Sequence, residues 1–409
     1  MKRILFVDDE PRVLDGLGRM LRPQRKLWEM SFANSGEEAL AMLAVKPFDV
    51  IVTDMRMPSM DGAKLLEHVQ ERFPNVIRIV LSGYFEKEAA LRAAPVAHQF
   101  LAKPCDPEAL REAVERSCNL SSMVPDEAVR RVVGAIGELP CLPITYSTLM
   151  EALQDPDIPL PEIGRIIEQD VGITAKVLQL VNSAFFGLLR EVTTVRMAVS
   201  FLGLDTLKQL VLSVGIFRTF RAARPILNFS MEDFQSHSQL AARISARMPA
   251  PPNVVSAAVV ASLLHDTGKL VLASRLPEQF EAALQLSVME GRPLHCAETE
   301  LTGVSHAEVG AYLLGLWGLP AGIVDAVCRH HRPAAVNSPG GLDILAITHI
   351  ADALALEAVH SKPGDAPSGC NLLNQDYLAA IGMSEQLPNW RTMAREIVTE
   401  QSGASTQCK

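Results

Sequence analysis

Two apolar runs that close on carboxylates constrain this chain more than any other feature: Ile4-Leu5-Phe6-Val7 ends at Asp8-Asp9, and Val50-Ile51-Val52-Thr53 ends at Asp54. Two further runs close on polar groups, Ile77-Arg78-Ile79-Val80-Leu81 at Ser82 and Phe100-Leu101-Ala102 at Lys103-Pro104. Short, nearly continuous apolar runs separated by helical segments are the pattern of a parallel sheet covered on both faces. In such a sheet the carboxyl ends of the strands open into one crevice. The spacing therefore predicts Asp8, Asp9, Asp54, Ser82 and Lys103 in one pocket, with the carboxylates forming a cation site. An apolar strand ending in Asp is by itself only a turn signal; the joint spacing singles the site out.

Helical periodicity over residues 37–45, 63–73 and 108–116 alternates with these strands, so residues 1–117 read as a doubly wound α/β domain. A chain of 409 residues exceeds what one core usually supports, so more domains are expected. Residues 118–135 read as a junction or linking helix, 136–353 as an all-α domain, and 354–409 as a C-terminal helical extension with a frayed tail from 402. Pro156, Pro159 and Pro161 precede one helix, Gly172 opens the next, and Gly187 and Gly203 separate the two after it. Stretches 333–341 and 363–369 read as loops.

Composition excludes several classes. Charged residues make up 21% and hydrophobic residues 48%, ordinary values for a globular protein rather than a disordered or fibrous one. No uninterrupted apolar run reaches membrane-spanning length, and Asp8, Asp9 and Glu10 break the first one too early for a signal peptide, so a cytoplasmic protein without membrane insertion is expected. The seven cysteines contain no CxxC pair, which argues against a zinc ribbon and a disulfide framework. A formal charge of -9 opposes nucleic acid at long range, and the short run Arg218, Arg221, Arg224 reads as a solvated helix end, so direct nucleic-acid binding is not expected.

Phosphoryl transfer to Asp54 would bring concentrated negative charge beside existing carboxylates, and only a hard divalent cation can balance it. Mg2+ fits a site held by Asp9 and Asp54, with Asp8 acting directly or through water, because few protein ligands leave room for water and phosphoryl oxygens. The backbone near Arg56 would complete the shell. Lys103 supplies a mobile positive charge and Ser82 a hydroxyl donor.

The set Asp8-Asp9, Asp54, Met57-Pro58, Asp61-Gly62, Ser82-Gly83 and Lys103-Pro104 closely resembles the receiver domain of two-component response regulators, over about the first 117 residues. The resemblance implies that a cognate histidine kinase phosphorylates Asp54, that Ser82 moves toward the phosphate, and that the Phe100 rotamer reports the change. It also places Glu86 and Ala89-Ala90 near a face used for partner or self contacts, which makes a homodimer a candidate assembly.

In the second half His237, His265-Asp266 with Lys269, His306, His330-His331 and Asp352 lie on or beside helices. His265-Asp266 ends an apolar run, where a charge is costly unless it is paired or ligated, and at a helix end both side chains can turn into one cavity. Imidazoles and carboxylates together suit Fe, Mn, Zn or Ni, and two ions could polarise a phosphodiester with Lys269 offsetting charge. The bland readings are helix-end or buried hydrogen-bonded histidines, with His349 orienting Asp352 or facing solvent.

This series is similar to the metal-binding series of the HD superfamily, including the HD-GYP cyclic di-GMP phosphodiesterases, but Arg332-Pro333-Ala334-Ala335 stands where those enzymes carry their signature. Ile166-Ile167-Glu168-Gln169-Asp170, Val181-Asn182-Ser183-Ala184-Phe185-Phe186-Gly187 and His330-His331-Arg332-Pro333 instead resemble the HDOD domain, an HD-related output module commonly regarded as non-enzymatic. Three functions stay open: a non-catalytic output acting on a downstream protein, a metal-dependent phosphodiesterase for a cyclic dinucleotide, and a sensor of a metal or small ligand.

Overall fold

The computed structural model describes residues 1–83, 92–120, 124, 126–137, 139–155, 158–182, 192–213, 226–333, 341–360 and 373–407. Five parallel strands, β1 (Lys2–Val7), β2 (Trp28–Ala33), β3 (Val50–Asp54), β4 (Ile77–Gly83) and β5 (Gln99–Lys103), lie in the order β2-β1-β3-β4-β5. Between them run α1 (Pro11–Met20), α2 (Gly36–Val45) and α3 (Gly62–Arg72), and α4 (Pro107–Asn119) follows β5. Ser35, Asp61 and Asp106 cap α2, α3 and α4 by accepting from backbone amides of the first turn. The doubly wound α/β expectation holds. The sequence reading had not singled out β2, whose alternating burial is that of an edge strand, or the amphipathic α1.

The order reverses at β1, which pairs with β2 on one side and β3 on the other, so the crevice forms above their carboxyl ends. Register sets Val7 beside Thr53, Asp54 beside Leu81, and Gly83 beside Lys103. Gly62 opens α3 directly against β3; a Cβ there would sit 2.1 Å from the Asp54 carbonyl oxygen. The Asp61-Gly62 pair thus combines a cap with the one residue thin enough for that approach.

From α5 (Glu127–Gly134) onward every regular element is helical among the described residues. α6 (Pro143–Ala152), α7 (Leu160–Ile167), α8 (Val171–Asn182) and α9 (Val195–Ser213) come first, and Gly203, at φ 71°, breaks α9 as its position predicted. α10 (Met231–Ala246), α11 (Pro252–Leu264), α12 (Thr267–Arg275), α13 (Pro277–Glu290), α14 (Leu294–Thr302), α15 (His306–Leu316), α16 (Ala321–Arg329) and α17 (Ile344–His360) follow. α18 (Gln375–Ala380) and α19 (Leu387–Gln407) end the chain.

The expected boundary at 353 falls inside α17. The last helices do not stand apart: Trp390, Ala394 and Ile397 of α19 share one core with Leu240, Ile244, Ile350 and Leu354. α19 also extends to Gln407, into the stretch expected to fray, since each residue added to an existing helix gains a hydrogen bond. Pro252–Arg275 is long and apolar enough to cross a membrane by length and composition; it is α11 and α12 joined at His265-Asp266, which interrupt the apolar run, and 72% of its most apolar window is buried inside the protein. Arg218, Arg221, Arg224, Glu86, Ala89-Ala90, Phe185, Phe186, Gly187, Pro156 and most of 333–341 with all of 363–369 lie outside the described residues.

The helical half packs against the β4–β5 side of the sheet. Lys176 of α8 donates to the carbonyls of Ala94 and Gly137, each at 2.7 Å, and lies 5.1 Å from the centre of the buried Trp317 ring. Gln179 donates to the carbonyls of Ala97 and His98. The fully buried Arg78 gives its Nη2 to the Gly134 carbonyl at 2.7 Å, and burial pulls its pKa down to about 9. Trp317 is thus a packing element.

Candidate functional site

At the carboxyl edge of the sheet Lys103 reaches across the crevice. Its ammonium lies 2.8 Å from Asp8 Oδ2 and forms a shorter ion pair with Asp54 Oδ1. The other Asp54 oxygen accepts the Arg56 backbone amide at 3.0 Å, and Asp8 Oδ1 accepts the Glu10 amide at 3.0 Å. Asp8, Asp54, Ser82 and Phe100 are buried, and Asp9 is half-buried beside Asp8. Burial pushes the Asp54 carboxyl above its usual range, against the pull of Lys103. Burial disfavours the Lys103 cation too, but Asp54 and Asp8 outweigh it and raise that pKa. The crevice thus holds a buried carboxylate raised by burial directly beside a charged lysine.

A second cluster lies inside the helical half. α11 ends at Leu264, His265 caps it, and Asp266 turns the chain into α12. His237 comes from α10, His306 is the first residue of α15, His330-His331 follow α16, and Asp352 lies on α17. Ligand atoms of Asp266, His306, His330 and His331 all lie within 4.8 Å of one another, and so do those of His237, His265 and Asp352. All seven candidates named from the sequence thus meet in one interior.

Both carboxylates span the two groups. Asp266 Oδ1 is 3.1 Å from His306 Nε2, while its Oδ2 is 3.4 Å from His265 Nε2. Asp352 Oδ1 is 3.1 Å from His237 Nε2 and 3.4 Å from His265 Nε2, and its Oδ2 is 3.6 Å from His331 Nδ1. Lys269 closes the cluster with its ammonium 2.5 Å from Asp266 Oδ2. Burial alone would raise both carboxyls; His265 and Lys269 around Asp266, and His237 and His265 around Asp352, hold them well below the usual range. His330 is lowered as well, to about 3, through burial and the neighbouring His265.

The rings are oriented from behind. The Nδ1 atoms of His265, His306 and His330 meet the Ser262 carbonyl at 2.6 Å, the Glu298 carboxylate at 2.6 Å and the Val327 carbonyl at 2.7 Å. Each Nδ1 therefore donates outward and each Nε2 faces inward, where a neutral ring would offer a metal its lone pair; burial disfavours the ring cations, but Asp266 and Asp352 raise His265 to about 10, and Glu298 and Asp266 raise His306. Asp266 Oδ1 and His330 Nε2 are buried without a hydrogen-bond partner. Carboxylate oxygens and inward-facing Nε2 atoms crowd together here, and a metal cation can replace the ring protons between them, so this donor set fits a metal.

Two functional supports were not legible in the sequence. Glu298 holds both the ring and the backbone amide of His306, and His295 stacks on His331 with ring centres 4.3 Å apart. Both sit on α14, and no local pattern marks them. His349 differs from expectation: it is buried, neither faces solvent nor orients Asp352, and donates Nδ1–H to the His330 carbonyl at 2.6 Å while accepting the Asn374 amide.

Residues 4–115 match the response regulator receiver domain and residues 139–333 the HDOD domain. An uncharacterized protein of Treponema pallidum is 28% identical over 201 residues, covering 49% of this chain and 39% of that protein. The hydrogenase transcriptional regulatory protein HoxA of Cupriavidus necator is 35% identical over 125 residues, covering 30% of this chain and 25% of that one. The chain thus spans well under half the length of these relatives. The crystal structure of the MmoQ response regulator from Methylococcus capsulatus is similar over 62% of this chain and 98% of that one, at 22% identity and a TM-score of 0.49. Its acidic crevice lies in the first matched segment and its histidine cluster in the second, and the chain carries a response regulator receiver domain followed by an HDOD domain, an order consistent with two-component regulator architecture.

Proposed function

We propose that Asp54 accepts a phosphoryl group from a cognate histidine kinase and that the HDOD module, holding a transition metal in a non-catalytic centre, passes the signal to a protein partner. The observation that carries the input half is Lys103 bridging Asp8 and Asp54 in a buried crevice. An Asp54 oxygen attacks phosphorus, the bond to the donor nitrogen breaks, and its electron pair leaves with the histidine. Lys103 then follows the charge from Asp54 to the phosphoryl group, and Ser82 donates its hydroxyl. Magnesium held by Asp9, Asp54 and the Arg56 backbone, with Asp8 direct or through water, would neutralise the crowded oxygens. Residues 1–117 act as the receiver, 118–135 as the connection and 136–353 as the output, with the helical extension 354–409 packed on that output, in a cytoplasmic protein that can pair through its receiver.

Removal of the divalent ion tests the input half. Chelation should slow labelling by acetyl phosphate about 100-fold or more, and restored magnesium should restore it. Labelling that runs at full rate in chelator, or that maps by mass spectrometry to another residue, overturns the assignment.

In the helical half the chain supplies His237, His265 and Asp352 to one group and Asp266, His306, His330 and His331 to the other, a mixed set suited to Fe, Mn, Zn or Ni. A second reading, metal-dependent hydrolysis of a cyclic dinucleotide, is favoured by the two carboxylates that span both groups with Lys269 beside them. It predicts turnover with manganese or iron that His265→Ala abolishes. No turnover with any of the four metals, in either phosphorylation state, leaves the non-catalytic output as the reading.

A further inference from the structure

The two clusters are joined by two short, rigid elements laid end to end. β5 carries Lys103 at one end, in the acidic crevice, and Gln99 at the other. Gln99 is buried, and its amide donates to Ser117 Oγ at 3.0 Å and to the Leu316 carbonyl at 3.1 Å. Leu316 is the last residue of α15, and His306 is the first. A five-residue strand and an eleven-residue helix span roughly 16 Å each at the usual rises. Their outer ends are the two candidate sites.

Both ends of α15 are packed closely enough to pass on a displacement. At its start, Gly268 of α12 lies so close that a Cβ would sit 1.9 Å from the His306 carbonyl oxygen, which ties Asp266 and His306 to one another. At its far end the Leu120 side chain lies over Gly315, and Gly318, at φ 75°, brings the chain against the Gln99 side chain. The capping box of Ser305 and Glu308 fixes the first turn, one residue from the inward-facing His306. His330-His331 follow α16, so a shift of α15 changes the spacing between His306 and the histidine pair within one donor group.

We infer that α15 is a strut through which phosphorylation of the receiver and metal binding by the helical cluster act on each other's affinity. This rests on the metal-holding reading above. When Lys103 trades the Asp54 carboxylate for a phosphoryl oxygen, β5 is pulled at the Lys103 end, and Gln99 passes the change to the Leu316 carbonyl. His306 then moves against His331, whose Nε2 is 2.9 Å from its own. Coupling of binding equilibria is reciprocal, so each site must change the other by the same factor.

The test uses the full chain in saturating magnesium, with cobalt(II) as probe, since its visible absorption reports imidazole ligation, and beryllofluoride as the stand-in for the phosphoryl group. Beryllofluoride should change cobalt affinity by about fivefold or more, and cobalt should change beryllofluoride affinity by that same factor. Gln99→Leu should bring both factors to near one while each ligand still binds alone. Hydrogen exchange at the amides of α15, followed with and without beryllofluoride in the unaltered protein, gives a readout that does not depend on the variant folding, and it should change. Equal cobalt affinity in both states, with unchanged exchange, overturns the coupling and leaves the metal reading intact. Absence of cobalt binding overturns both. A coupling factor undiminished in a folded Gln99→Leu protein overturns the strut as its route.

Discussion

Asp54→Asn protein incubated with acetyl phosphate and magnesium should take up no phosphate above background, whereas the unaltered chain is labelled through one acyl phosphate bond that alkali and hydroxylamine cleave. The substitution removes the nucleophilic oxygen pair but little else. An asparagine carbonyl still accepts the Arg56 amide, and Lys103 keeps its contact with Asp8 at 2.8 Å. Burial already works against the Asp54 charge, so replacing it with a neutral group of the same shape should leave the thermal midpoint close to its original value. Labelling is followed by phosphate-affinity electrophoresis and folding by circular dichroism. Equal phosphate uptake by the variant would refute Asp54 as the acceptor.

The second large effect is expected at Asp266. Its two oxygens face different histidine groups, so Asp266→Ala removes a donor from both at once and leaves Lys269 without the carboxylate it contacts. Metal affinity should fall by more than the 10- to 100-fold typical of lost supporting contacts. The apo protein should lose about 3–5 kcal/mol, the usual cost of leaving a buried charge unpaired. Asp266→Asn separates the two effects, because it keeps the shape and some hydrogen bonding to Lys269 but not the charge. Metal content after purification and the urea midpoint supply the readouts. Full metal occupancy in Asp266→Ala would show that the cluster is not the site.

The location of the first cluster follows from a local rule. Apolar runs of strand length were visible in the sequence, and side chains at their carboxyl ends must share one crevice once the sheet is parallel. The same holds for His265-Asp266, where a polar pair directly after a buried helix has nowhere to go but inward. Edge strand β2 was harder to read, because Trp28–Ala33 is covered on fewer sides and its pattern is correspondingly weaker. His349 could not be placed, since its partners are a carbonyl 19 residues upstream and an amide 25 residues downstream.

By itself, then, the sequence determined the element types, the two halves of different architecture, and the residues able to do chemistry. These are set by periodicity and by the residues at element ends, both of which act over a few positions. The tertiary structure alone decided that seven donors from separate helices converge, that Glu298 and two backbone carbonyls turn the rings of His306, His265 and His330 inward, and that the last helix joins the core of the helical half. It alone also brought Gln99 to the Leu316 carbonyl across 217 positions of chain. Contacts at that separation depend on how whole helices pack, and no local pattern of side chains encodes them.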